Sequence, residues 1–232
     1  MPEEILKRGE GTQSPVFHHQ QEELHRLLLQ MATLSEEMLG KALEALQAQN
    51  TSRAQVVIVK DREVDALEVT IDKHILEMLA LQQPVAADLR SILSAQKINN
   101  DLERVADHAV NIAEAAIILA DAPMIKPLVH IPRMGVIARD MLKEAIDSFV
   151  YGDSRLAAAV KQRDDEMDGL HRQVTTALSS VVEQRPNEVR RALALFGISI
   201  DLERVADLAT NIAEEVIFIQ EAEVVKHKEG KT

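Results

Sequence analysis

Cysteine is absent from the 232 residues, which excludes disulfides, thiolate metal sites and a cysteine nucleophile together. Tryptophan is absent too, and four Phe with one Tyr are all the aromatics. The core must therefore be built from Leu, Ile, Val, Ala and Met, a palette that suits closely packed helices. No run approaches the ~18 uncharged apolar residues of a membrane span, and the opening MPEEILKRGEGTQSPVF lacks the apolar stretch of a signal peptide. A cytoplasmic location is expected, with no direct membrane insertion and any membrane contact made through partners. Basic residues are outnumbered 26 to 38, and with so few rings to stack on bases, a net charge of −12 argues against nucleic acid. A cation, or a basic patch on another protein, fits better. No GxGxxG, Walker loop, GxSxG or HExxH occurs, so no nucleotide-binding or hydrolase signature is present and no catalytic residue is assigned.

Glycine and proline are sparse, and where they fall they bound long helical tracts. One tract ends near Asn50-Thr51-Ser52, where Ser52 followed by Gln55 reads as an N-cap with its capping-box partner. The next runs to Gln83, and Pro84 opens a third of about 35 residues, since proline is tolerated in a first helical turn. Pro123, Pro127 and Pro132 then crowd a segment that no continuous helix accepts. Beyond it, tracts run to Tyr151, from an N-cap at Asp153 to Arg185, and from Pro186 to about Val225. The expected fold is all-α, two tandem, internally duplicated three-helix bundles. Their boundaries are a flexible N-terminus at 1–16, a first bundle at 17–121, a linker at 122–133, a second bundle at 134–225 and a flexible C-terminus at 226–232.

Duplication is visible directly. DLERVADHAVNIAEAAIIL at 101–119 and DLERVADLATNIAEEVIFI at 201–219 agree at 13 of 19 positions, which chance does not produce. KDREVD at 60–65 echoes RDDEMD at 163–168. On a helical wheel Leu102, Val105, Ala109, Ile112 and Ala116 share one sector, and Asn100, Glu103, Asp107, Asn111 and Glu114 lie nearly opposite. The last helix repeats this acid row with Glu203, Asp207, Asn211 and Glu214, and the second helix of each half carries an acid pair, Asp61 with Asp65 and Asp164 with Asp168.

Like charges at i, i+4 destabilise a helix by roughly 0.2–0.5 kcal/mol per pair, so something should offset the repulsion. Four carboxylates converging from two neighbouring helices suit a hard or borderline cation such as iron, manganese, magnesium, calcium or zinc. The competing interpretation is a solvated acidic face whose carboxylates pair with Arg62, Arg104, Arg163 and Arg204. Spacing alone divides evenly between a cation site and a protein-contact face. Other candidates are weaker. His18-His19 fits an exposed pair, His108 has Leu208 as its repeat mate, and Glu22-x-x-His25 with Asp168-x-x-His171 resemble halves of a di-metal motif without being repeat mates.

INNDLERVADHAVNIAE at 98–114, ISIDLERVADLATNIAE at 198–214 and QQPVAADLR at 82–90 resemble the PhoU family over the whole chain. The resemblance implies two three-helix bundles whose E(D)xxxD motifs hold metal ions, iron or zinc, at surface carboxylate clusters. Carried over by motif, the ligands are Asp61, Asp65, Glu103 and Asp107 in the first half and Asp164, Asp168, Glu203 and Asp207 in the second. It also implies negative regulation of phosphate uptake and of the phosphate-starvation response, through an adapter between the ATPase of the phosphate ABC transporter and a two-component sensor histidine kinase, in a chain that forms homodimers. A surface metal-storage or di-metal redox protein, and a purely structural helical scaffold, stand as alternatives. The second half departs from the pattern in having EQRPNEVRR where the first has QQPVAADLR.

Overall fold

The computed structural model describes residues 15–84, 87–121 and 130–222. Among them there is no strand. The helices are α1 (Pro15–Ala48), α2 (Thr51–Gln82), α3 (Ala87–Leu119), α4 (Ile131–Tyr151), α5 (Ser154–Lys161), α6 (Asp164–Gln184) and α7 (Val189–Glu221), with a short 3₁₀ turn at Pro186–Glu188 before α7. The segments at 1–14 and 223–232, and Pro123 and Pro127 of the linker, lie outside the described residues. None of the described helices is long and apolar enough to cross a membrane.

Helix limits follow local chemistry, with some departures from the sequence expectation. Asn50, not Ser52, caps α2: its side chain accepts from the amide of Arg53 at 3.0 Å, so the helix begins at Thr51. Asp153 caps α5 as expected, accepting from the amides of Arg155 and Leu156 at 2.9 and 3.1 Å. Gly152 precedes it at φ 62, a left-handed conformation that costs glycine least. Pro132 stands in the first turn of α4 rather than in the linker, where its missing amide removes no helical bond. Pro84 precedes α3 instead of opening it, after Gln83 has ended α2 in the left-handed region at φ 47.

The tract between Asp153 and Arg185 is two helices, not one. The amides of Gln162 and Arg163 bond back to Ala159 and Val160 at 3.2 and 3.1 Å, the tight i, i+3 closure that ends a helix. α6 then starts with Asp164, Asp165 and Glu166, three acids in a first turn whose dipole favours negative charge. α2 in the first half is unbroken at the equivalent place.

Leu102, Val105, Ala109, Ile112 and Ala116 are all buried, as the wheel predicts. Buried side chains of both halves belong to one continuous core, because α3 packs along α7 at the centre of the molecule while α1 and α2 flank α3 and α4 to α6 flank α7. Polar ties cross this junction. Glu215, 2% exposed, accepts from Ser94 at 2.9 Å and from Lys97 at 3.0 Å. His108 Nδ1 lies 2.9 Å from Asp201, which also accepts from Asn111 at 3.2 Å. The repeat mates of Ser94, Lys97, His108 and Glu215 are Ala194, Gly197, Leu208 and Ala115, so the ties made by Glu215 and by His108 have no counterpart of the same residue types on the other side.

Candidate functional site

Two acidic grooves run between the second and third helical layers, one per half. In the first, α2 carries Asp61, Asp65, Glu68 and Asp72 at i, i+4, i+7 and i+11, all within a sector of about 60°. Helix α3 brings Glu103 and Asp107 opposite. The register is pinned by Asn99, whose side chain donates to Asp72 at 2.9 Å and to the Glu68 carbonyl at 3.3 Å, with Gln96 donating to Asp72 at 2.8 Å. Asp72 is thereby satisfied. Among the described residues, the side chains of Asp61, Asp65, Glu68, Glu103 and Asp107 have neither an ion pair nor a hydrogen bond.

Unscreened crowding shows in their protonation. Partial burial, reinforced by Asp107, Glu68, Asp65 and Asp61, pushes the Glu103 carboxyl up to about 7. Burial with repulsion from Asp65 and Asp107 raises Asp61, and burial with Asp72, Asp65 and Asp107 raises Glu68. The cation next in sequence is held elsewhere: Lys60 reaches back to Glu37 on α1 at 2.5 Å, and this contact with that of Lys41 lowers Glu37 to about 2. Arg62 and Arg104, the obvious neutralising groups, make no ion pair among the described residues.

The second groove repeats the layout with differences. Asp164 and Asp168 come from the first turns of α6, Glu203 and Asp207 from α7. Burial, then Asp207, Asp168, Asp165 and Glu203, push Asp164 up to about 6. Arg163, like Lys60, is turned back onto its first helix, 2.8 Å from Glu144 and 3.9 Å from Asp140. Here, however, Arg204 pairs with Asp207 at 3.0 Å and Arg172 approaches Asp168 at 3.8 Å. The acid row is also less open than the wheel suggests, because Lys161 at the end of α5 covers Glu214 at 2.6 Å and leaves that side chain 12% exposed. Asn211 and Asp207 are likewise only part-exposed, whereas Asn111 and Asp107 are exposed.

All eight predicted residues therefore line two grooves, four in each. Their donor chemistry, oxygen without sulfur, fits a hard or borderline cation, and in the first groove no basic side chain among the described residues compensates it. Among the described residues no three Asp, Glu or His side chains converge closely enough to enclose one ion, so these rotamers ring the groove and a cation would have to draw them inward. The remaining candidates stay apart from both grooves. His18 pairs with Glu22 at 3.3 Å on the surface. His25 packs on Phe149 of α4 at 5.1 Å, and burial lowers its pKa. Glu68 was not among the residues the acid-x-x-x-acid pattern selects; extending the wheel one further turn from Asp65 finds it.

The geometry joins a wider comparison. The PhoU domain pattern matches residues 28–116 and 131–216, one copy on each groove-bearing half. The chain belongs to the PhoU family. It is 42% identical over 210 residues to a phosphate-specific transport system accessory protein PhoU homolog from Aquifex aeolicus, covering 90% of this chain and 95% of that protein. A homolog of the same description from Zymomonas mobilis is 35% identical over 195 residues, 84% of this chain and 82% of the relative. The crystal structure of PhoU from Pseudomonas aeruginosa superposes with a TM-score of 0.87 at 32% identity, covering 89% of this chain and all of that one. The phosphate transport system regulatory protein PhoU from Streptococcus pneumoniae gives 0.83 at 26% identity, with 90% and 99% covered. These PhoU structures and the present chain thus share the helical architecture over about nine-tenths of this chain.

Proposed function

We propose that this PhoU-family chain is a non-enzymatic accessory regulator of a phosphate-specific transport system, which restrains phosphate uptake and the phosphate-starvation response when phosphate is plentiful. The observation that carries this is the near full-length likeness, at 42% identity, to an accessory protein of such a system. In this reading the chain is cytoplasmic, reaches the inner membrane only through partners, and works as a homodimer linking the transporter ATPase to a sensor histidine kinase. The acidic grooves are its metal sites. Asp61, Asp65, Glu103 and Asp107 would hold one ion or cluster, and Asp164, Asp168, Glu203 and Asp207 another, with iron or zinc implied by resemblance. A bound cation would supply positive charge that joins the grooves' rows into one docking surface and offsets repulsion among their carboxylates.

Open grooves without converged ligands favour this role over a di-metal redox enzyme, whose chemistry needs ligands fixed around buried metals. The test is genetic and biochemical. Deleting the gene should derepress alkaline phosphatase in phosphate-rich medium, and the tagged chain should co-purify with the transporter ATPase and the kinase. Unchanged phosphatase after deletion, with neither partner recovered, overturns the adapter role.

A further inference from the structure

A cavity of about 370 Å³ opens on the seam where α1 and α3 of the first half meet α4 and α7 of the second. None of the groove acids lines it. Buried Leu24, Leu28, Ile92 and Val216 form its floor. The His25 ring lies against Phe149, with centroids 5.1 Å apart and planes 31° from parallel, which gives the cavity a wall of two rings. Its polar lining is left over. Gln21 reaches Asp88 at 3.5 Å, but among the described residues the imidazole of His25, the hydroxyl of Ser91 and the side-chain amide of Gln220 make no hydrogen bond. Gly152 leaves room for that amide, since a Cβ at position 152 would come 2.8 Å from Gln220 Nε2. The duplicated junction is built differently. There Gln49 stands where Gly152 does and donates to the Leu119 carbonyl at 3.2 Å, and Arg191 stands in the place of Ser91 and pairs with Glu188 at 2.8 Å. The repeat therefore does not require the three unpaired groups of the first junction.

We infer that this cavity binds an uncharged heteroaromatic ligand of nucleoside size, its ring against the His25–Phe149 wall and its polar edge met by Ser91, Gln220 and His25. No Asp, Glu, Lys or Arg is among the described lining residues, so an ion would lose hydration there without compensation. Burial lowers the pKa of His25, so at neutral pH its imidazole is uncharged and offers one donor and one acceptor. A purely apolar ligand would leave the three polar groups unpaired and cover them from water. A ring with donors and acceptors on its edge satisfies both conditions. Tilted or offset stacking suits the two rings already present, and a glutamine amide presents donor and acceptor side by side, the pairing it makes with the N6 and N7 atoms of adenine. Small-molecule pockets span about 300–1,000 Å³, and this cavity is at the small end, the scale of a base with its ribose.

The full chain, kept in chelator so that the acidic grooves play no part, is titrated with adenosine, guanosine, cytidine and uridine. Saturation-transfer NMR identifies which of them bind, and isothermal titration gives Kd. Adenosine should bind with Kd on the order of 0.1 mM or tighter, and its base protons should receive more saturation than its ribose protons. Ser91→Phe places a ring in the cavity and should abolish binding. His25→Phe keeps the two-ring wall and removes only the ring nitrogens, and Gln220→Ala removes only the amide; each should weaken binding by about 3- to 10-fold. Thermal melts of the three variants show that the fold is intact. Adenosine monophosphate should bind more weakly than adenosine, and tighter binding of the monophosphate overturns the uncharged class. The site itself is overturned if none of the four nucleosides binds at millimolar concentration. It is equally overturned if a folded Ser91→Phe still binds, or if His25→Phe and Gln220→Ala both titrate like the unsubstituted chain.

Discussion

The first and second grooves come from one ancestral helix pair, yet they have diverged in how their charge is managed. In the first, α2 runs unbroken past Asp61, and five carboxylates face one another without a basic partner among the described residues. In the second, the chain breaks at Gln162–Arg163, so Asp164 sits in the first turn of α6, where the helix dipole partly offsets its charge. Arg204 and Arg172 supply further compensation. Both grooves still crowd their acids, since Glu103 is pushed up to about 7 and Asp164 to about 6, and what differs is the arginine pairing of the second. A duplicated motif thus keeps its acids without basic partners in one half, among the described residues, and pairs two of them with arginine in the other.

The largest expected effect breaks the comparison outright. If the acidic grooves hold metal as proposed, Glu103→Ala with Asp107→Ala should cost the first groove on the order of 100-fold or more in affinity, above the 10–100-fold typical of outer-shell changes. Glu203→Ala with Asp207→Ala should cost the second groove nearer 10-fold, since Asp207 is already shared with Arg204. Isothermal titration with Mn²⁺ reads both, and equal losses in the two pairs would erase the asymmetry.

Next comes the tie between halves. Glu215 is nearly fully buried and joins Ser94 and Lys97 across the α3–α7 junction. Glu215→Ala leaves a hydroxyl and an ammonium without their acceptor. Breaking a buried charge pair costs ~3–5 kcal/mol, and the half-exposed Lys97 lowers this to about 2 kcal/mol. Chemical denaturation should show that loss in a single transition if the continuous core makes the halves one cooperative unit. Two separated transitions would mean that each groove is carried by an independently folding half.

Smaller, and opposite in sign to ordinary acid unfolding, is the pH dependence of the metal-free protein. A carboxyl raised in the folded state binds its proton more tightly there than in the unfolded chain. Stability is therefore fully present below the unfolded value and falls as pH rises to the folded value. For Glu103 that window runs from 4.5 to about 7, and for Asp164 from 3.8 to about 6. Both groups are only partly buried, so solvent screening reduces each contribution to on the order of 1 kcal/mol. Thermal melts should show Glu103→Gln flattening the dependence up to neutrality, and Asp164→Asn flattening it only in the more acidic part. Identical profiles for the two variants would deny that the grooves differ electrostatically.

Most of the fold was legible because glycine and proline are scarce and the apolar positions of α3 and α7 keep helical period for more than four turns. The break before α6 was not, since AVKQRDDE holds no glycine or proline; its one sign is the Asp164-Asp165-Glu166 run that suits a helix start. All eight acidic positions were readable from spacing, because i, i+4 fixes a face without tertiary information. What spacing could not reveal is where long basic side chains settle. Arg163 and Arg204 look equally able to neutralise the second groove, but Arg163 is captured by Glu144 from α4 while Arg204 reaches Asp207 on its own helix. Those outcomes depend on packing between helices distant in sequence.

The smallest expected effect is the most discriminating. Arg104 and Arg204 are repeat mates, yet only Arg204 pairs with the groove aspartate three residues on. The pair is exposed, 53% and 39% for its two side chains, which limits its worth to the ~0.2–1 kcal/mol of a surface ion pair. In the proposed metal role, removing Arg204 frees Asp207 for a cation, so Arg204→Gln should raise the Mn²⁺ affinity of the second groove by about 2- to 5-fold. Arg104→Gln removes only a longer-range repulsion of the cation and should change the Mn²⁺ affinity of the first groove by less than about 2-fold, an effect screened at physiological salt. The contrast between two substitutions at one repeated position isolates ion pairing from net charge, because both variants lose the same single charge. If the two shift their sites equally, net charge explains the grooves' difference and the Arg204–Asp207 contact does not.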